Sequence, residues 1–521
     1  LKGMIAAGHE LTARAGAEMF EEGGNAFDAA VAAAFASFVA ESALTSPGGG
    51  GFMTVHTPAG TSVVYDFFTA MPGLGARIEK RDLDFFPLYI DFADAIQEVF
   101  IGRASAGVPG VIAGLEMVRS RHCTLPVEIL LRPAIIMARK GITVNEAQAS
   151  FNTLLEPMLS SSEEPAGIYL PGGASIPPGG VIFHENLAST FEILAREGLG
   201  SFYTGPLAEA LLREFGPHNG GLITEQDLAR YRPVVRSPLE ITYRGRTIYT
   251  NPPPSSGGTL IAFSLKLLED MDVAGPGHNT ALYMANLARV MEVTDRARRE
   301  SFDARLQEEG LAKWFLSEAH MARFREEMAR GQAARYPGET THISATDEEG
   351  NLVSLTTSVG MGSGFMIPGT GVMMNNMLGE HDLNPQGFHN TRPGLRLSSM
   401  MAPTIVMRDG AGEIILGTGG SKRIRGAILQ TMLNIIDFGL PVERAVNAPR
   451  IHFENGLLDV EAGIEPSEAE ALEAMGFKVK RWRKRDMYFG GVHTIVFRHG
   501  RVEGSGDGRR GGAVASFPPI S

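Results

Sequence analysis

The chain has 521 residues, 44% hydrophobic and 20% charged, with a formal net charge of −12. That is the composition of a globular protein with a sizeable core, and its acidic balance speaks against nucleic acid or an anionic membrane as the main partner. Cys123 is the only cysteine, so neither an intrachain disulfide nor a cysteine-built metal site can form.

In chain order, "LKGMIAAGHE" already reads as a strand, with no initiator Met and no charged-then-apolar leader. Removal of a leader is therefore one expectation, and a cytoplasmic, periplasmic or secreted location is compatible with it. The next 32 residues, "LTARAGAEMFEEGGNAFDAAVAAAFASFVAES", predict two helices, with Gly23-Gly24 ending the first and Asn25 capping the second. "SPGGGGFMTVHT" and "TSVVYDFF" form a strand and its hairpin partner; the four glycines Gly48 to Gly51 suit either a tight turn or backbone lying close to a ligand. Helical spacing follows in "GVPGVIAGLEMVRSR", "LPVEILLRPAIIMARKG" and "VNEAQASFNTLLEPML", then a Ser/Pro/Gly-rich loop over 161–190 and helices at "STFEILAREG" and "GPLAEALLREF". "LEITYRGRTIYTNPPPSSGG" is a hairpin leading into a proline run and a glycine turn, and "ALYMANLARVMEVTDRARRESFDARL" is a long helix. From Thr340 strands dominate, interrupted by the helix "RIRGAILQTMLNIIDFG"; the basic run "KVKRWRKR" reads as an exposed strand. Later strands in close antiparallel pairs with helices on either side predict a layered α+β sandwich, not a parallel nucleotide-binding sheet. No segment is long and apolar enough to span a bilayer as a helix.

Common catalytic signatures are missing: no lysine is followed by Ser or Thr, as a Walker A would need, and no G-x-S-x-G or H-E-x-x-H occurs. The loop "NNMLGEHDLNPQGFH" has irregular spacing and does not suggest a metal site. "GETTHISATDEEGNLVSLTTS" is the unusual stretch. A threonine hydroxyl needs a base, and the α-amino group of the same residue, with a reference pKa of about 8, can serve if the bond before Thr340 is cut. Ser358 ends the strand after the acidic turn and can return beside Thr340, while Gly419 and Gly420 end another strand with amides unobstructed by side chains. The residues alone leave open whether "TTHIS" is a nucleophile or merely a strand start.

Several long motifs in register resemble the γ-glutamyltranspeptidase family of N-terminal nucleophile hydrolases: "GMIAAGHELTARAGAEMFEEGGNAFDAAVAAAFA", "GGGGFM", "AGVPGVIAGLE", "GGLITEQDLARYRPVVRSPLEITYRGRTIYTNPPPSSGG", "TTHISATDEEGNLVSLTTS", "GVMMNN", "RLSSMMAPTIV" and "GTGGSKRIRGAILQ". The resemblance implies a four-layer αββα sandwich and autocleavage between Glu339 and Thr340. The products, a large segment 1–339 and a small segment 340–521, would stay associated as one globular unit, with a homodimer as a candidate assembly. It implies Thr340 as nucleophile and base, Ser358 as the second hydroxyl, Gly419 and Gly420 at the oxyanion hole, and Ser398 and Ser399 as the pair holding the substrate α-carboxylate. Asn375 and Asn376 match paired asparagines and are assigned a structural role, and Thr341 and His342 are strand neighbours. No cofactor or metal is implied.

The departures bear on substrate. Phe68 stands where the family's carboxylate-binding arginine is expected, Gly360 replaces an amine-binding asparagine, Met377 replaces a Gln or Glu, and Glu380 corresponds to the family's aspartate. Arg103, Arg392 and Arg396 are candidates to replace the missing cation, and the lid stretch before Ser398 looks shortened. The expectation is a threonine amidase or acyltransferase acting on a γ-glutamyl or related acyl amide, a small molecule or peptide. The alternatives are an acylase for glutaryl-like or bulkier apolar groups, or an unprocessed binding protein on the same fold.

Overall fold

The computed structural model describes residues 1–76, 80–91, 96–327 and 340–519. Two β-sheets face one another between two helical layers. The seven-stranded sheet runs in the order Ala513–Phe517, Gly3–Ala7, Thr341–Asp347, Leu352–Ser358, Gly50–His56, Ser62–Phe67, Val234–Arg236. The six-stranded sheet runs Arg501–Ser505, Gly491–Arg498, Ala411–Gly419, Thr404–Arg408, Arg246–Thr250, Leu239–Tyr243. All of the strand pairings in both are antiparallel. This is the expected αββα sandwich, and described strands from before and after Thr340 are interleaved in both sheets.

Side chains alternate across a strand with period two, and here that alternation sorts the chemistry. In Leu352–Ser358, Val353 and Leu355 enter the core beneath the helices. Leu352 joins Met4, Ile405, Ile415 and Ile495 between the sheets, and the Ser354 hydroxyl donates to the Leu416 carbonyl at 3.0 Å across the gap. Pairing of Thr341 with Thr357 puts residue 340 opposite 358, with both on the inter-sheet face.

The outer helix Ala26–Ala40 is buried on every side, because it lies between the sheet and the helices Glu10–Glu21 and Val127–Lys140. Small Ala side chains make that approach feasible. Asn25 and Asp28 form its capping box, as the sequence predicts for Asn25. On the opposite side, Gly257–Leu268, Ala281–Ser301 and Arg423–Ile436 cover the second sheet.

Two expectations need correction. The supposed loop 161–190 contains a helix, Glu163–Tyr169, and a strand, Val181–Ile182, that pairs with Ile142–Thr143. Burial of Pro165 and Tyr169 and this distant pairing outweigh the local Ser/Pro/Gly signal. The glycine turn after the proline run is instead the start of a helix, Gly257–Leu268. A Cβ at Gly257 would lie 2.0 Å from the Met400 carbonyl oxygen, so glycine is needed there for close approach. The basic strand Lys478–Arg481 has exposed ends as expected, but Trp482 after it is buried and donates to Asp459 at 2.8 Å.

Candidate active site

The strand Thr341–Asp347 carries Thr340 at its mouth, facing the second sheet where the strand Ala411–Gly419 ends. A small cavity lies there, lined by Thr340, Ser358, Gly360, Phe68, Met377, Glu380 and Ser399 from the expected set, and also by Leu383, Met400, Met401, Ser421 and Ile424. Residues from six separate stretches of sequence thus converge on one space. The Ser358 hydroxyl accepts from the Gly360 N–H at 2.8 Å, which fixes the turn that follows it.

Gly419 abuts Thr340: a Cβ there would lie 1.5 Å from the Thr340 carbonyl oxygen, a separation no side chain can occupy. Gly420 has φ +122°, a backbone state that favours glycine. Neither lines the cavity, but Ser421, next in sequence, does. The helix Arg423–Ile436 begins directly after them, and Ile424 in its first turn lines the cavity, so the helix end that carries partial positive charge lies at the cavity wall. Ser398 is buried beside Ser399 without lining the cavity. The Ser399 carbonyl accepts from the Ser255 and Ser256 hydroxyls at 2.9 and 3.1 Å, which explains what the "PPPSSGG" stretch does: it holds the Ser-Ser segment in place.

The substitutions on the substrate side have structural consequences. Phe68 stacks on Phe52 with ring centroids 5.4 Å apart. Arg396 does not replace the expected cation: its guanidinium donates to the Phe68 carbonyl at 2.7 Å and pairs with Asp66 at 3.2 Å. Arg103 is held by Asp84 and Glu214, and Arg392 is exposed. Among the described residues lining the cavity, Glu380 is the only charged one. Gly360, with φ +66°, leaves room for it; a Cβ at 360 would lie 2.4 Å from Glu380 Oε1 and 2.3 Å from Asn376 Oδ1.

Asn375 and Asn376 are structural, as expected. Asn375 bridges the Gly48 and Gly107 carbonyls at 2.8 and 3.0 Å, and Asn376 accepts from the Met361 N–H at 2.8 Å. The glycines Gly48 to Gly51 do not line the cavity; each is pressed against neighbouring backbone, such as Ser358 O at 2.2 Å from a Cβ at Gly49. His342 bonds Thr356 and Ser344 at 2.8 and 3.0 Å, and burial holds its imidazole well below the usual range, hence neutral. In the 375–389 loop, Asp382 pairs with Lys422 at 3.1 Å and His381 with Glu98 at 3.4 Å. Burial pushes the Cys123 thiol well up, which keeps it an unreactive thiol.

Sequence reasoning missed two long-range partners. Arg510 Nη1 donates to the Thr340 carbonyl at 3.1 Å, and the Thr341 hydroxyl donates to Glu41. No local signal marks either. Ser421, Met400 and Met401 were findable, since they directly follow Gly420 and Ser399. Glu339, and with it the expected cleavage point, lies outside the described residues.

Comparison with known proteins identifies the family. The γ-glutamyltranspeptidase family matches residues 12–517. The chain is 32% identical over 506 residues to the glutathione hydrolase proenzyme of Escherichia coli (strain K12), covering 92% of this chain and 86% of that protein. It is 33% identical over 512 residues to the acylase ACY 1 proenzyme of Pseudomonas sp. (strain SE83), covering 95% and 90%. The crystal structure of a cephalosporin acylase from Bacillus halodurans superposes with a TM-score of 0.86 at 25% identity, covering 99% of this chain and 96% of that one. The chain is a γ-glutamyltransferase-like hydrolase and belongs to the γ-glutamyltranspeptidase family.

Proposed function

We propose that Thr340 is the nucleophile of an acyl-amide hydrolase and acyltransferase, released by cleavage of the Glu339–Thr340 bond into segments 1–339 and 340–521. The observation that carries this reading is the meeting of Thr340 and Ser358 at one cavity, with Gly419 against the Thr340 carbonyl. The freed α-amine takes the Thr340 hydroxyl proton as Oγ1 attacks the substrate carbonyl carbon. Gly419 and Gly420 amides, aided by the adjacent helix N-terminus, stabilise the oxyanion. The departing amine takes the proton, leaving an ester on Thr340, which water or an acceptor amine then resolves. Ser358 orients the amine, and Ser398, Ser399, Glu380, Met377, Gly360 and Phe68 shape the acyl end. The names of the relatives, a glutathione hydrolase and an acylase, suit a γ-glutamyl or related acyl amide.

A specific observation favours the acylase reading: the lining of Phe68, Met377, Leu383, Met400, Met401 and Ile424 is apolar, and Arg396 is turned behind Phe68. A free carboxylate buried there would lack a charged partner, which costs a few kcal/mol. The test is kcat/KM for a γ-glutamyl anilide against anilides of apolar and glutaryl acyl groups, with Thr340→Ala as control. An apolar acyl group preferred by about tenfold or more is expected. An equal or better γ-glutamyl rate would overturn the apolar preference, and an active Thr340→Ala the nucleophile.

A further inference from the structure

The Thr340 carbonyl is gripped from a second cavity. This cavity is lined by His9, Glu41, Gln148, Phe151, Asn152 and Arg510 among others, and shares no lining residue with the first. Arg510 is buried and comes from the turn Gly508–Arg510. Its Nη1 donates to the Thr340 carbonyl at 3.1 Å, its Nη2 to the Met487 carbonyl at 3.2 Å, and its guanidinium lies 5.2 Å over the Phe151 ring. Glu41, at the end of the helix Ala26–Ala40, accepts from the Thr12 hydroxyl at 2.8 Å and from the Thr341 hydroxyl. One residue's carbonyl and the next residue's hydroxyl are thus held by opposite charges on the rim of one cavity.

From this geometry we infer that Arg510 and Glu41 are positioning residues that clamp residues 340–341, so that the Thr340 hydroxyl addresses the substrate cavity. The inference rests on Thr340 being the nucleophile. Alternation along the strand requires the clamp: residues 340 and 341 point to opposite faces, so fixing 341 from the helical side and the 340 carbonyl from the turn leaves only the 340 side chain to meet substrate. Displacement of a reacting atom by about 1 Å costs about 10²-fold in rate, so such a hold acts on kcat and not on binding.

The groups facing Glu41 are Arg510, the Thr12 and Thr341 hydroxyls and, across the cavity, His9. Burial pushes the Glu41 carboxyl up to about 7, against those hydroxyl bonds and the Arg510 charge, while burial lowers the His9 imidazole so that it is neutral. The carboxylate therefore forms as pH rises through neutrality, and with it the charge that opposes Arg510.

The experiment compares wild type, Thr340→Ala, Arg510→Met, Arg510→Lys and Glu41→Gln, measuring kcat and KM separately per folded enzyme on an acyl anilide that the wild type turns over. For Arg510→Met we expect kcat to fall about 10²-fold with KM within about twofold, and for Arg510→Lys a partial recovery. Glu41→Gln should shift the acid limb of the kcat–pH profile, whereas a purely structural loss would scale the profile without moving it. Wild-type kcat in Arg510→Met, or an unmoved pH profile in Glu41→Gln, overturns the inference while an inactive Thr340→Ala leaves the nucleophile intact. Should Arg510→Met fail to fold, the kcat of Arg510→Lys and the pH profile of Glu41→Gln decide between the same two outcomes.

Discussion

Two buried polar regions of this molecule treat charge in opposite ways. In the cluster of Arg450, Arg509, Asp507 and Glu461, each charge meets its counter-charge at hydrogen-bond distance. Arg450 pairs with Asp507 at 2.7 Å, and Arg509 with Asp507 at 3.0 Å and Glu461 at 2.6 Å. Burial pushes the Asp507 carboxyl up, but the two arginines and backbone amides outweigh it and hold the carboxyl well below the usual range. In the cavity at Thr340, hydroxyls and a single carboxyl group line the same space as apolar walls. The contrast teaches that one buried polar cluster is closed on itself by ion pairs, whereas the other lines a cavity open to a ligand. Charge burial alone distinguishes neither.

Substitutions can break this contrast at either end. The largest effect is expected from Thr340→Ala, which removes hydroxyl and nucleophile together. Turnover should fall by about 10⁴-fold or more, and a denaturing gel should show one uncut chain. Next is Asp507→Asn, which leaves two buried arginines short of a counter-charge and should cost about 4 kcal/mol in chemical denaturation at neutral pH. The Asp507 carboxyl is depressed in the fold, so its contribution is present above the unfolded carboxylate pKa and is lost as pH falls towards the folded value. The difference between variant and wild type should shrink in acid.

Gly419→Ala puts a methyl group where the Thr340 carbonyl sits, so the backbone must shift, and kcat should fall by about 10²-fold together with a marked loss of thermal stability. Glu41 gives a stability signature of the opposite sign to Asp507. Its carboxyl is raised from 4.5 to about 7, so the fold binds a proton that the unfolded chain has released. Wild-type stability should therefore decline as pH climbs from about 4.5 through about 7, by on the order of 3 kcal/mol, and Glu41→Gln should remove that slope in urea titrations across the range. At the bottom of the scale, Lys484 is largely exposed and pairs loosely with Asp486 at 3.6 Å, and Lys484→Ala should change stability by less than about 0.5 kcal/mol. A larger change would mean that surface charge on this basic stretch carries structure.

Much was legible in the chain itself. Period-two and helical spacing marked the strands around Thr340 and the outer helices, Asn25 its cap, and the alternation of "LVSLTTS" the face that Ser358 shares with residue 340. The motif-borne set Thr340, Ser358, Gly360, Met377, Glu380, Ser399 and Phe68 does meet at one cavity. What only the tertiary structure decided are the contacts made across layers. Arg396 is turned behind Phe68, Arg510 reaches the Thr340 carbonyl from 170 residues away, Glu41 lies under Thr341, and Val181–Ile182 pairs with Ile142–Thr143. Local periodicity reports which face of an element is buried, because side-chain direction repeats along the backbone. It carries no record of which distant guanidinium or carboxylate fills the space opposite, since that depends on how the folded layers stack.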